Sequence, residues 1–185
     1  MNGYAASIHE SKADFDLEQY SKETLVDLLK LYSRLYIAVD GFWYLSIKNE
    51  FGNDKTLEHD IRVWDKMYRR EVDGITKTLG IQKRDVPSFF RTFVMAPWFL
   101  QMKYGVEIKN ASYGILTISH CPTLLALENE GEGREEKICK VVDVDYFSKF
   151  GKYFHSDLEM LPIKLPPRGN RGDICCQWEI KLRQT

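Results

Sequence analysis

The chain has 185 residues, of which 44% are hydrophobic, 13% aromatic and 29% charged, with a formal net charge of -1. That size favours one domain around a single core, and the near-zero charge speaks against a nucleic-acid partner, which selects for a clustered basic surplus. No apolar run approaches the roughly 20 residues that span a bilayer, so no membrane is expected. The opening MNGYAASIHESKADFD lacks the basic-then-apolar order of a secretion signal. The cytoplasm is therefore the expected compartment, and reduced thiols the expected state of the four cysteines.

Residues 1–16 are polar and aperiodic and read as a mobile arm, ahead of one domain over 17–185. Ser21 is placed to cap a helix in which Leu25, Leu28, Leu29, Tyr32, Leu35 and Tyr36 recur at three and four. Apolar character continues through IAVDGFWYLSIKNEFG, with Gly41 a predicted kink and Gly52 a stop, so two helices or one bent helix fit. In DKTLEHDIRVWDKMYRREVDGITKTLG, Leu57, Ile61, Trp64, Tyr68, Val72, Ile75 and Leu79 form one stripe. This is a long helix, capped by Asp54 or Thr56, ended by Gly80, with Glu58–Arg62 and Asp65–Arg69 as acid-first pairs on its wet side. A more aromatic helix follows Pro87, interrupted near Pro97.

After Gly105 the period changes to two. VEIKNASYGILTIS predicts two strands around Asn110-Ala111-Ser112, and CPTLLALENEG a short helix with Pro122 in its first turn. ICKVVDV reads as a strand, DVDYFSKFGKYF as a helix, LPIKLPPRGNRGD as a connector and ICCQWEIKL as the last strand. The fold class is α+β: an N-terminal helical half over 17–104 packed on a small, largely antiparallel sheet in a mixed half over 105–185.

Asp40, an acid inside an aromatic run, is either an N-cap for a helix restarting at Gly41 or a carboxylate held at a pocket wall. Asp60 and Glu71 flank Trp64 and Met67 on one helix, but eleven residues of helical rise put them roughly 16 Å apart, too far to share an ion. His120 and Cys121 stand where a strand gives way to a helix, where free backbone N–H groups favour a thiolate, so Cys121 is the candidate nucleophile with His120 as base and Asp40 as polar partner. Cys121, Cys139 and Cys176 come from three elements and are the candidate ligands of a zinc ion or another transition metal, with His155 as a further donor. His9 and His59 read as solvent residues. Trp43, Trp64 and Trp178 are the candidate walls of a small-molecule cavity, Trp98 being weighed with them. Cys176 shares a strand face with Trp178, while Cys175 faces the other way. No phosphate loop, nucleophile elbow or metalloprotease motif is present.

The ordered set IAVDGFWYLSIKNEFG, LEHDIRVWDKMYRRE, SHCPTLLAL with ICK behind it, and LPPRGNRGDICCQWEI resembles an uncharacterised prokaryotic family of unknown function near L-2-amino-thiazoline-4-carboxylic acid hydrolase-like proteins. The resemblance implies attack on a C–N bond of a small cyclic substrate. It also implies a series of cysteines, of which Cys121, Cys139 and Cys176 are present and the one before Pro166-Pro167 is missing, leaving three thiolates plus another group. The ending GDICCQWEI is also similar to the close of vinyl-reductase-type domains, which implies a small-molecule-binding or sensing module without catalysis. The expected partners are thus a small organic ligand or metal held between the two halves, and a second copy of the chain docked through its aromatic helices.

Overall fold

The chain builds four antiparallel strands and a series of helices that stack outward from one face of the sheet. A computed structural model describes residues 16–183, and the expected arm lies almost entirely outside them. After a 3-10 turn at Leu17–Gln19, α1 spans Lys22–Phe51 and α2 spans Asn53–Thr78. The Ser21 hydroxyl accepts the Thr24 N–H at 3.2 Å and caps α1 as its residue type predicts. Only Gly52, at φ 80, separates the two long helices, and this left-handed conformation is one that glycine adopts without strain.

One expectation about α1 is corrected. The helix runs unbroken through Gly41 and does not restart there, so Asp40 is a mid-helix residue and not an N-cap. A single glycine costs a helix about 1 kcal/mol, which thirty residues of otherwise favourable pattern absorb.

α3 covers Val86–Phe93, with the Asp85 carboxylate accepting the Ser88 N–H at 2.9 Å, and turns rather than helix carry the chain past Pro97. β1 (Lys103–Asn110) and β2 (Tyr113–His120) form the expected hairpin. α4 (Pro122–Glu130) follows, then α5 (Arg134–Lys137), a π-helical turn at Ile138–Val142, and α6 (Asp143–Phe154). The expected strand ICKVVDV is therefore helical. Its β-branched residues favour a strand only weakly, and the run instead buries Cys139 and Val142 on one side while Lys140 pairs with Glu136 at 2.7 Å on the other.

β3 (Leu158–Lys164) was expected to be connector from Leu161 onward, because Pro162 and Pro166-Pro167 read as turn signals. It is an edge strand in the order β1-β2-β4-β3, and an edge tolerates the missing N–H of Pro162. β4 (Cys176–Leu182) pairs antiparallel with both β2 and β3.

One face of the sheet presents Leu116, Ile118, Leu158, Met160, Trp178 and Ile180, all nearly or fully buried. Phe89 and Phe93 of α3 interlock with Phe147, Phe150 and Phe154 of α6 through edge-to-face contacts 5.0 to 6.0 Å between centroids, and Phe147 meets Trp178 of the sheet at 4.8 Å. α2 packs on α6, joined by Lys149 bridging Asp65 and Asp145, and α1 packs on α2 as the outermost layer. The architecture is α+β, with the helical N-terminal half laid over the helices that cover the sheet.

Candidate functional site

Four helices meet around a cavity of about 360 Å³. α1 lines it with Tyr36, Asp40 and Tyr44, three residues spaced by four and so on one helix face. α2 adds Asp60 and Trp64 by the same spacing, and α6 adds Asp143, Tyr146 and Phe147 at i, i+3 and i+4. Trp98 comes from the turns after α3, Cys121 and Leu127 from α4, and Glu130 and Arg134 from the α4–α5 corner. Sheet residues contribute almost nothing, so the cavity lies between the N-terminal helices and the helical layer of the C-terminal half.

The aromatic walls are braced against one another. Trp64 meets Tyr146 edge-on at 5.2 Å and Tyr36 at 6.3 Å, and Trp98 stacks on Phe147 at 5.5 Å. Behind them Glu71 is buried, accepting hydrogen bonds from the Tyr146 hydroxyl and, at 3.4 Å, from the Trp98 indole N–H, both on Oε2. Its Oε1 has no partner among the described residues, and burial raises the carboxyl above its ordinary range despite the two donors.

Besides Glu130, three carboxyl groups share the cavity. Burial pushes Asp40 up to about 6. Burial, then repulsion from Asp40, pushes Asp60 up to about 7, against a lowering hydrogen bond from the Trp64 indole. Burial pushes Asp143 up to about 7 as well, against a hydrogen bond from the Cys139 thiol. Asp143 is enclosed by protein, and the area it retains is cavity wall. Among the described residues no cation offsets any of the three. The one basic side chain in the wall, Arg134, is held by Glu130 at 2.7 and 2.6 Å and lies 4.8 Å from the Tyr44 ring centroid.

The thiols stand beside this cavity. Cys121 caps α4, its sulfur accepting the Leu124 N–H at 3.4 Å, and burial pushes the thiol up to about 12. Burial raises Cys139 and Cys176 further still. Cys121, Cys139, Cys176 and Asp143 each feel the others' charge, which places them in one region of the molecule. Among the described residues, however, no three or more His, Cys, Asp or Glu side chains are arranged to hold a metal ion. Burial holds these thiols in the neutral form, whereas nucleophilic attack requires a thiolate.

Residues 18–182, nearly the whole chain, match the model of a family described as a family of unknown function (DUF6125). The chain belongs to that family. No curated protein and no solved structure matches it.

In this DUF6125 chain, the residues singled out from sequence divide sharply. Asp40, Trp64 and Cys121 line the cavity, and Cys139 and Cys176 stand next to it. Trp43 points to solvent from the outer face of α1 and is 64% exposed, so it is no part of the wall. Trp178 is fully buried in the core, its indole N–H donating to the Cys176 sulfur at 3.2 Å, which places both on one strand face as expected. His120 ends β2 opposite Lys103, outside the cavity. Cys175 is also buried, with Arg168 Nη1 3.6 Å from its sulfur. Asp143, Tyr36 and Tyr146 escaped notice. For Asp143 a signal existed: an acid placed i, i+3, i+4 with Tyr146 and Phe147 sits on the apolar side of its helix.

Proposed function

We propose that this protein binds a small organic molecule in the cavity between α1, α2, α4 and α6, as a binding or sensing module. The observation that carries the reading is the cavity itself: about 360 Å³, walled by aromatic rings braced from behind, with a few polar groups converging on it. The protonated state of Cys121 supports binding over cysteine chemistry. A thermal-shift screen with fragment-sized compounds tests it, run in parallel on Ala126→Trp, which narrows the mouth at an exposed wall position. Hits that stabilise the wild type and not the variant support the proposal. A screen without hits, or hits that act equally on both, refutes it.

A hydrolytic role, which the likeness to L-2-amino-thiazoline-4-carboxylic acid hydrolase-like proteins implies, has one observation in its favour. Asp60 and Asp143 are poised near neutral pH, where a carboxyl exchanges protons with water most readily. In that case water, not Cys121, is the nucleophile, and Cys121→Ala keeps whatever activity the wild type shows.

The outer face of α1 supports a second copy of the chain as partner. Leu28, Tyr32, Leu35, Val39 and Phe42 step by 4, 3, 4 and 3, the spacing of a coiled-coil seam. Tyr32, Leu35, Val39, Phe42 and, beside them, Leu29 and Trp43 are all more than half exposed. Together they leave on the order of 700 Å² of side chain uncovered, close to the ~800 Å² per partner of a stable specific interface. Sedimentation of the full chain tests this: a monomer at every concentration up to about 100 μM removes the dimer, since standard interfaces associate more tightly than that.

A further inference from the structure

We infer that the ligand of the cavity is a small organic cation, an amine carried on an apolar or aromatic body, with its ammonium group set among Asp40, Asp60 and Asp143. This rests on the cavity being a binding site. Of the four carboxyl groups that line this apolar space, these three have no basic partner among the described residues, whereas Glu130 is matched by the single arginine of the wall. A protein that needed these positions only for packing gains nothing from three mutually repelling acids, because burying each is costly unless a charge or hydrogen bonds compensate it. Asp143 makes the point most sharply: protein encloses it, one thiol is its hydrogen-bond partner, and its remaining face opens on the cavity.

The walls favour the same class. Tyr36, Trp64, Trp98 and Tyr146 line the space around the acids, and the negative faces of such rings attract a cation that has left water. An anion meets three acids and no free base. An inorganic cation lacks its cage, since among the described residues no group of carboxylates and thiols has the arrangement a metal needs. A neutral ligand leaves the acids as uncompensated as they are without it. An ammonium on an organic body satisfies both the acids and the apolar volume, and it suppresses their mutual repulsion, so their protons leave as it enters.

Three compounds that share a phenyl ring on two carbons and end in a cationic, a neutral or an anionic group test the inference: phenethylamine, 2-phenylethanol and phenylacetate, titrated calorimetrically into the full chain at pH 7.5 and low salt. The amine is expected to bind at least tenfold tighter than the alcohol, and phenylacetate weakest. In Asp60→Asn/Asp143→Asn, checked for folding by circular dichroism, the preference for the amine is expected to fall below threefold while binding of the alcohol persists. An alcohol that binds as tightly as the amine overturns the cationic class and leaves the cavity reading intact. Failure of all three to bind overturns both. A preference for the amine that survives the double substitution overturns the assignment to these acids.

Discussion

Replacing Asp143 with Asn should make the empty protein more stable, and the gain should depend on pH in a defined direction. The carboxyl is raised from an ordinary 3.8 to about 7, chiefly by burial. A proton affinity about a thousandfold above that of the unfolded chain corresponds to roughly 4 kcal/mol, at about 1.4 kcal/mol per factor of ten. Between pH 4 and pH 7 the native state therefore holds a proton that the unfolded state has released. Stability from this group is complete below pH 4 and is lost as pH rises through about 7. Asn keeps the shape and the acceptor for the Cys139 thiol without the charge. Water in the cavity and the coupling to Asp40 and Asp60 dilute the effect of one residue, so the expected gain is about 2 kcal/mol at pH 8 and close to zero at pH 4. Urea unfolding of both proteins at pH 4, 6 and 8 measures it. A variant that is less stable than wild type at pH 8, or equally stabilised at pH 4 and pH 8, refutes the picture of an uncompensated buried acid.

Cys121, with its thiol at about 12, should react with iodoacetamide at pH 7.5 roughly a thousandfold more slowly than a free thiol, followed by peptide mapping; labelling at the free-thiol rate contradicts its burial. Gly114→Ala should cost about 2 kcal/mol or more in urea unfolding, because the added carbon falls 2.5 Å from Phe90 Cε2 and 2.9 Å from the Glu107 carbonyl, and Phe90 is itself buried. Arg168→Ala removes a guanidinium that holds both Glu128 oxygens, at 2.6 and 2.8 Å, and the Asp173 carbonyl at 3.0 Å, tying the β3–β4 connection to α4; with both side chains largely covered the loss is about 2 kcal/mol or more, and proteolysis within 165–175 should quicken. Leu35→Glu with Val39→Glu should leave the chain folded but monomeric in sedimentation, and a dimer that survives both charges removes α1 as its interface.

The parts of the fold legible in the sequence are those where one local signal decides. The Leu57–Ile75 stripe of α2, the Asn110-Ala111-Ser112 turn and the strand face shared by Cys176 and Trp178 all follow from periodicity within a few residues, although Leu79, read as the end of that stripe, lies past the helix and is exposed. What failed had a tertiary cause. Ile138–Val142 is helical because burial of Cys139 and Val142 overrides β-branched propensity, and β3 is a strand despite Pro162 because its outer edge needs no N–H. The site was half legible. Asp40 is conspicuous as an acid in an aromatic run, whereas Asp143 is ordinary in DVDYF until α1 and α2 close over it. Its companions lie about 80 and 100 residues away in the chain, and no local pattern encodes such an encounter.

Under the two proposals above, α1 would serve both contacts. One face lines the cavity with Tyr36, Asp40 and Tyr44, a neighbouring one exposes Tyr32, Leu35 and Val39, and Phe42 belongs to both. If a ligand steadies the helix, the two events are coupled. Thermodynamic reciprocity then fixes their relation: whatever factor ligand contributes to association, association returns to ligand affinity. Concentration of the protein itself would then be a variable in how well it holds its ligand.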